Sequence, residues 1–274
     1  MHESLEEFIR KIKGLEIQGA KETAIESLKF LRNLVKEKGF GKEFEKAAKK
    51  IEETRPTAVV LHNCLEVLKK DRKTESISKL LRQLNEATKK ISIKGSRLIK
   101  DGYKIMTHCH SGEALAVIKQ AWKEGKKITV YATETEPKHQ GIKTARELAE
   151  LKIPVMLIAD SAIEFFIKDV DIVIVGADSL RVVPPIGLVN KIGTYPMAVV
   201  AKEHKKPFYV AANTLKIDRR KRFVIEERSP NEIYVEHIKT LEVKNPAFDI
   251  TPLKYIKRII CEKGVMTPKQ FLKL

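Results

Sequence analysis

After Lys94-Gly95, short β-rich apolar runs alternate with amphipathic helical stripes, and this alternation restricts the fold more than any other feature of the chain. The runs cover residues 103–107, 128–133, 154–158, 172–175 and 207–211, and helical segments over 112–124, 141–151, 161–168 and 194–204 fall between them. Alternating β and α elements call for a parallel sheet with right-handed crossovers. The residues before Lys94 follow a different period. Leu5, Phe8, Ile9, Ile12 and Leu15 share one helical face, and Ala24, Ile25, Leu28, Leu31, Leu34 and Val35 share another that stops at Lys38-Gly39. A third stripe runs through Phe44, Ala47, Ala48 and Ile51. Pro56 is expected to open a fourth helix with Thr54 as a cap, and Ile77 to Ile91 makes a fifth. The segment 245–252 reads as a loop before a last helix. The expected fold class is α/β: a helical N-terminal domain over residues 1–95, then a Rossmann-like parallel-sheet domain over 96–274.

Two of the predicted strands end in chemistry. The run Lys104-Ile105-Met106 leads into Thr107-His108-Cys109-His110-Ser111-Gly112, and residues 171–175 lead into Gly176-Ala177-Asp178-Ser179. In an open parallel sheet, ligands bind outside the carboxyl ends of the strands. A thiol and a carboxylate there can face one pocket. Cys109 also lies just before a helix start, where the dipole and free N–H groups lower a thiol's pKa. The plain alternative is a small buried hydrophobe. For Asp178 the two readings are a neutral acid in a dry pocket and a capping carboxylate. His108 and His110 alternate on an extended stretch and so point to opposite faces, which argues against one shared metal ion. No metal and no cofactor is expected.

Composition narrows the partners. The 274 residues carry a net charge of +17, spread along the chain without a compact Arg-aromatic cluster. An anionic small molecule fits this pattern, and direct sequence-specific nucleic-acid binding does not. The three cysteines, Cys64, Cys109 and Cys261, are far apart and form no disulfide framework or metal pair. No apolar run reaches membrane-spanning length, and the acidic N-terminus lacks a signal-peptide core, so a cytoplasmic protein is expected.

Six segments occur in an order that resembles a known family. They are Arg55-Pro56-Thr57-Ala58-Val59, Thr107-His108-Cys109-His110-Ser111, Thr133-Glu134-Thr135 with Gln140-Gly141, Gly176-Ala177-Asp178, Asn190-Lys191-Ile192-Gly193-Thr194 and Asn245-Pro246-Ala247-Phe248-Asp249. Together they resemble the superfamily that unites the alpha, beta and delta subunits of translation initiation factor 2B with methylthioribose-1-phosphate isomerase and ribose-1,5-bisphosphate isomerase. The resemblance runs from about residue 15 to the C-terminus. It implies a helical N-terminal domain, a Rossmann-like domain, and a homodimer or larger oligomer joined through the latter.

The resemblance also implies roles. Cys109 and Asp178 match the family's catalytic cysteine and aspartate. Arg55, Asn190 and Lys191 match pocket residues, and Gly19 and Ala20 fall in a substrate-binding segment. Three departures stand against an isomerase. An arginine of the isomerases is replaced in Ile17-Gln18-Gly19-Ala20, and another in Glu134-Thr135-Glu136-Pro137. The stretch after Asp178 carries Pro184-Pro185 where the family has an Asn-Gly turn. Lys138, Lys143 and Arg181 are the cations available to compensate. These departures favour an initiation factor 2B subunit-like protein, acting in GDP/GTP exchange on initiation factor 2 through protein contacts, with a residual pocket for a sugar phosphate or nucleotide. The alternative is a sugar-phosphate aldose–ketose isomerase of the ribose-1,5-bisphosphate type using the Cys109/Asp178 pair.

Overall fold

The structure is a computed structural model and describes residues 3–14, 16–17, 19–55, 57–236 and 238–274. Among these, helices come first: α1 (Leu5–Lys13), α2 (Ala20–Lys38), α3 (Lys42–Thr54), α4 (Val59–Lys70) and α5 (Thr74–Ser96). Their predicted stripes are the buried faces. Phe8, Ile12, Leu28, Leu31, Phe44, Ile51, Leu65 and Ile77 join one apolar cluster. Helix α2 stops as expected, because Gly39 adopts φ 69 and its N–H donates to the Val35 carbonyl. Two details differ. Thr54 is the last residue of α3, where its hydroxyl donates to the Lys50 carbonyl at 2.8 Å, so it does not cap α4, whose N-cap is Ala58. Pro56, Leu15 and Gln18 lie outside the described residues.

The α/β part runs β1 (Lys104–Thr107), α6 (Gly112–Lys123), β2 (Thr129–Thr133), α7 (Gln140–Glu150), β3 (Val155–Ile158), α8 (Ile163–Ile167), β4 (Ile172–Val175), β5 (Ser179–Arg181), β6 (Gly187–Lys191), α9 (Thr194–Glu203), β7 (Phe208–Ala211), β8 (Ile217–Asp218), β9 (Phe248–Thr251), β10 (Arg258–Cys261), β11 (Gly264–Met266) and α10 (Pro268–Phe271). The main sheet has the order β11-β10-β7-β4-β1-β2-β3 and is parallel except for the β10–β11 pair. Side chains alternate across it. Ile105, Ile172 and Ile174 pack with Leu115 and Ile118 of α6 on one face, whereas Met106, Val173 and Val175 pack with Met197 of α9 on the other. All five predicted strands are present.

A second sheet, β8-β5-β6-β9, was not foreseen. Strand β9 occupies the segment read as a loop, because Phe248 to Thr251 pairs antiparallel with β6, more than fifty residues away. Helix α5 packs on α6 closely enough that a Cβ on Gly95 would lie 2.5 Å from Val117 Cγ2. Among the described residues no helix is long and apolar enough to cross a membrane.

Candidate active site

Strand β1 ends in a sharp turn at Cys109, which adopts the left-handed φ of 65. Both sides of this residue are held. Its N–H donates to Thr135 Oγ1 at 2.9 Å, and its carbonyl accepts from Thr144 Oγ1 at 2.8 Å. Beyond the turn, Ser111 caps α6, its Oγ accepting from the Ala114 N–H. His108 is buried. Its Nε2 donates to the Ile192 carbonyl at 2.8 Å, which leaves Nδ1 to accept from Thr133 Oγ1 at 2.6 Å. The ring therefore ties the end of β2 to the Lys191-Ile192 loop and has no nitrogen left for a metal. His110 faces Thr144 instead, at 3.0 Å.

The carboxyl ends of the strands open on a cavity of about 440 Å3. It is lined by Cys109, Asp178, Arg55, Asn190, Lys191, Gly19 and Ala20, so the candidate catalytic and substrate-binding residues meet the same space. Asn190 Nδ2 donates to Thr194 Oγ1 at 3.0 Å, and Lys191 Nζ sits 5.1 Å from the centre of the Phe248 ring. Arg55 is only 9% exposed. Its Nε lies 3.6 Å from Glu226 Oε2, and neither Nε nor Nη1 has a hydrogen-bond partner. Buried guanidinium N–H groups left without acceptors are costly, and they are suited to an incoming anion.

Several lining residues escaped the sequence reading. Glu113, in the first turn of α6, is buried and accepts from Lys216 Nζ at 2.9 Å and Asn213 Nδ2 at 2.8 Å. Arg228 reaches the cavity clamped between Glu226 and Glu232. Lys21, at the start of α2, lines the cavity while its Nζ donates to Thr88 Oγ1 at 2.7 Å. No short motif marks these residues, because their partners are distant in the chain.

The electrostatics correct one expectation. Burial pushes the Cys109 thiol up to about 11, against the pull of Lys191. Desolvation thus outweighs the Lys191 charge and the His110 N–H, and the shift runs opposite to the lowered pKa expected at a helix start. Burial also raises Asp178 above the ordinary carboxylate range, with Lys216, Arg55 and Lys191 opposing it. This is the direction required of a neutral acid.

The departures also look different in place. Glu136 does not line the cavity; it is exposed, and its carboxylate lies 3.3 Å from His139 Nδ1. It therefore does not repel an anion there. Lys138 and Lys143 do line the cavity. Arg181 is no replacement cation. It is fully buried, with Nη1 donating to Asp218 Oδ2 at 2.8 Å and Nη2 to the Pro184 carbonyl at 2.9 Å. Gln18 lies outside the described residues.

Residues 16–268 match the model of the initiation factor 2 subunit family. The chain belongs to this family. Within the family, it is 41% identical to a protein of Archaeoglobus fulgidus named ribose 1,5-bisphosphate isomerase, over 97% of this chain and 91% of that one. It is 42% identical to methylthioribose-1-phosphate isomerase of Acetivibrio thermocellus, over 84% of this chain and 76% of the relative. Among solved structures, it superposes with a TM-score of 0.87 and 28% identity on a Pyrococcus horikoshii OT3 protein described as translation initiation factor eIF-2B, covering 99% of this chain and 100% of that one. Family members at about 40% identity over nearly the whole chain are thus isomerases. This overturns the expectation of a translation initiation factor. One of the three departures behind that expectation also loses its force, because Glu136 does not face the cavity.

Proposed function

We propose that the protein is an aldose–ketose isomerase acting on a phosphorylated pentose of the ribose-1,5-bisphosphate type. The observation that carries this reading is the convergence of Cys109, Asp178 and Arg55, whose Nε and Nη1 lack hydrogen-bond partners, on one cavity. The cavity also presents Lys138, Lys143 and Lys191, and among the described residues Ile192 and Phe248 are its only large apolar side chains. Such a lining suits a phosphate at each end of the sugar better than an apolar methylthio group.

In this reading Asp178, whose neutral form burial favours, gives its proton to the ring oxygen as the bond from that oxygen to C1 breaks. Cys109, in the minor thiolate form that the neighbouring Lys191 charge favours, takes the proton from C2 and returns it to C1. The C2 hydroxyl proton goes back to Asp178, leaving a ketone at C2 and both side chains in their starting states. Asn190 orients a hydroxyl, and Arg55 and Lys191 hold phosphate oxygens. Assembly through the α/β part is proposed as well. Strand β3 is an edge of the sheet and exposes Met156 and Leu157, one on each face, and Phe165 of α8 is 70% exposed, which leaves apolar surface for a second copy to cover.

The test is to incubate the purified protein with ribose 1,5-bisphosphate and follow the ketose product by NMR, with methylthioribose 1-phosphate alongside. Turnover of the bisphosphate, abolished in Cys109→Ser and Asp178→Asn, is expected. Neither turnover nor a thermal shift with any pentose phosphate would sink the reading.

A further inference from the structure

Asp160 does not line the cavity, yet it is linked by hydrogen bonds through Thr135 to Cys109, which does. It follows β3 at the head of a short 3-10 turn, Asp160–Ala162. Each of its carboxylate oxygens accepts one main-chain N–H from the end of the neighbouring strand β2. Oδ1 accepts from Thr135 at 2.9 Å, and Oδ2 accepts from Glu136 at 2.8 Å. Thr135 is fully buried and adopts φ 64, a conformation that β-branched residues rarely take. Such a backbone persists only where its surroundings over-determine it. The product of this restraint is the placement of Thr135 Oγ1, which accepts the Cys109 N–H at 2.9 Å. Cys109 is itself left-handed. The ends of the three adjacent strands β3, β2 and β1 are thereby laced together, from carboxylate to hydroxyl to the thiol-bearing residue.

We propose that Asp160 is a positioning residue that acts through Thr135 to fix the backbone turn of Cys109, and so aims the thiol into the cavity. The proposal rests on the reading of Cys109 as the group that moves the proton. It deepens that reading by naming the residues that hold the thiol in register with the sugar. A misplacement of about 1 Å at a reacting group can cost about 100-fold in rate. Asp160→Asn keeps one acceptor but turns a donor toward the Glu136 N–H, so it is a partial disruption. Thr135→Val removes the acceptor for Cys109 at nearly constant volume, and Thr135→Ser retains it.

Two readouts separate aim from folding. The first is the kcat and KM of ribose 1,5-bisphosphate isomerisation. The second is the rate at which iodoacetamide alkylates Cys109 at alkaline pH, followed by mass spectrometry, with the buried Cys64 and Cys261 as internal references. In Asp160→Ala and Thr135→Val, kcat is expected to fall by about 10- to 100-fold with KM little changed, and the Cys109 alkylation rate to depart clearly from wild type. Asp160→Asn falls between, and Thr135→Ser restores both. Wild-type kcat and alkylation rates in Asp160→Ala and Thr135→Val would overturn the proposal, even if thermal stability dropped. If Asp160→Ala does not fold, Thr135→Val decides. If the wild-type protein turns over no sugar phosphate, the functional reading fails, while the alkylation rates still decide whether Asp160 aims Cys109.

Discussion

Gly176 and Ser111 touch: a Cβ placed on Gly176, just after β4, would lie 2.1 Å from the Ser111 Oγ. Only glycine lets the start of α6 settle against the end of β4, which brings Cys109 and Asp178 to one cavity. Gly176→Ala is therefore expected to displace the Ser111 cap and destabilise the fold by about 1–3 kcal/mol, as overpacking typically does. Urea unfolding measures this, and unchanged stability would mean that Ser111 moves aside without cost.

Arg55 is expected to contribute to anion binding, since Nε and Nη1 lack hydrogen-bond partners and its one ion pair, with Glu226, is long at 3.6 Å. Charge-assisted hydrogen bonds contribute about 1.5–3 kcal/mol, so Arg55→Ala should weaken sugar bisphosphate binding by about 10- to 150-fold. Arg55→Lys should recover only part, because the planar fork is lost. Isothermal titration of the two variants checks this, and wild-type affinity in Arg55→Ala would place the phosphate elsewhere.

The Cys109 thiol gives a pH signature. Its folded value of about 11 lies above the ordinary 9.0, so the native state favours the neutral form. The associated stability is fully present below pH 9 and is lost as pH rises from 9 toward about 11. Alkylation of Cys109 should correspondingly accelerate about tenfold per pH unit above neutrality, without levelling off near pH 7. A plateau near neutral pH would show a stabilised thiolate. Comparing the alkaline arm of the stability curve in wild type and Cys109→Ser isolates the contribution of this group.

The Arg181–Asp218 pair is a structural liability if broken. Both side chains are fully buried, and Asp218 also accepts from Arg220 Nε at 2.9 Å. Asp218→Ala leaves a buried guanidinium without its carboxylate, and loss of one partner of such a pair costs about 3–5 kcal/mol. Chemical denaturation is the check, and a loss below about 1 kcal/mol would mean that Arg181 finds water or carbonyl partners sufficient for its charge.

Much of the architecture was legible because burial leaves a period in the chain. Strands β1 and β4 show it as Ile105 and Met106, or Ile172 and Val173, dividing between two cores. Strand β9 was not legible. Its register is imposed by β6, and only Phe248 and Thr251 of its four residues are buried. Thr54 misled for a similar reason, since a cap signal next to a helix end does not say which helix it serves.

By itself, the sequence determined that helices precede a parallel sheet, and that a thiol and a carboxylate stand at strand ends. Both follow from local hydrophobic period and from the polarity of parallel strands. Only the tertiary structure decided which charges face the cavity and which way the thiol is shifted. Glu136 turns outward, Arg181 is locked inside, and Lys216 meets Glu113 across 103 residues of chain. Burial raises Cys109 despite the helix beside it. Desolvation and charge pairing depend on distances through space, and spacing along the chain does not carry them.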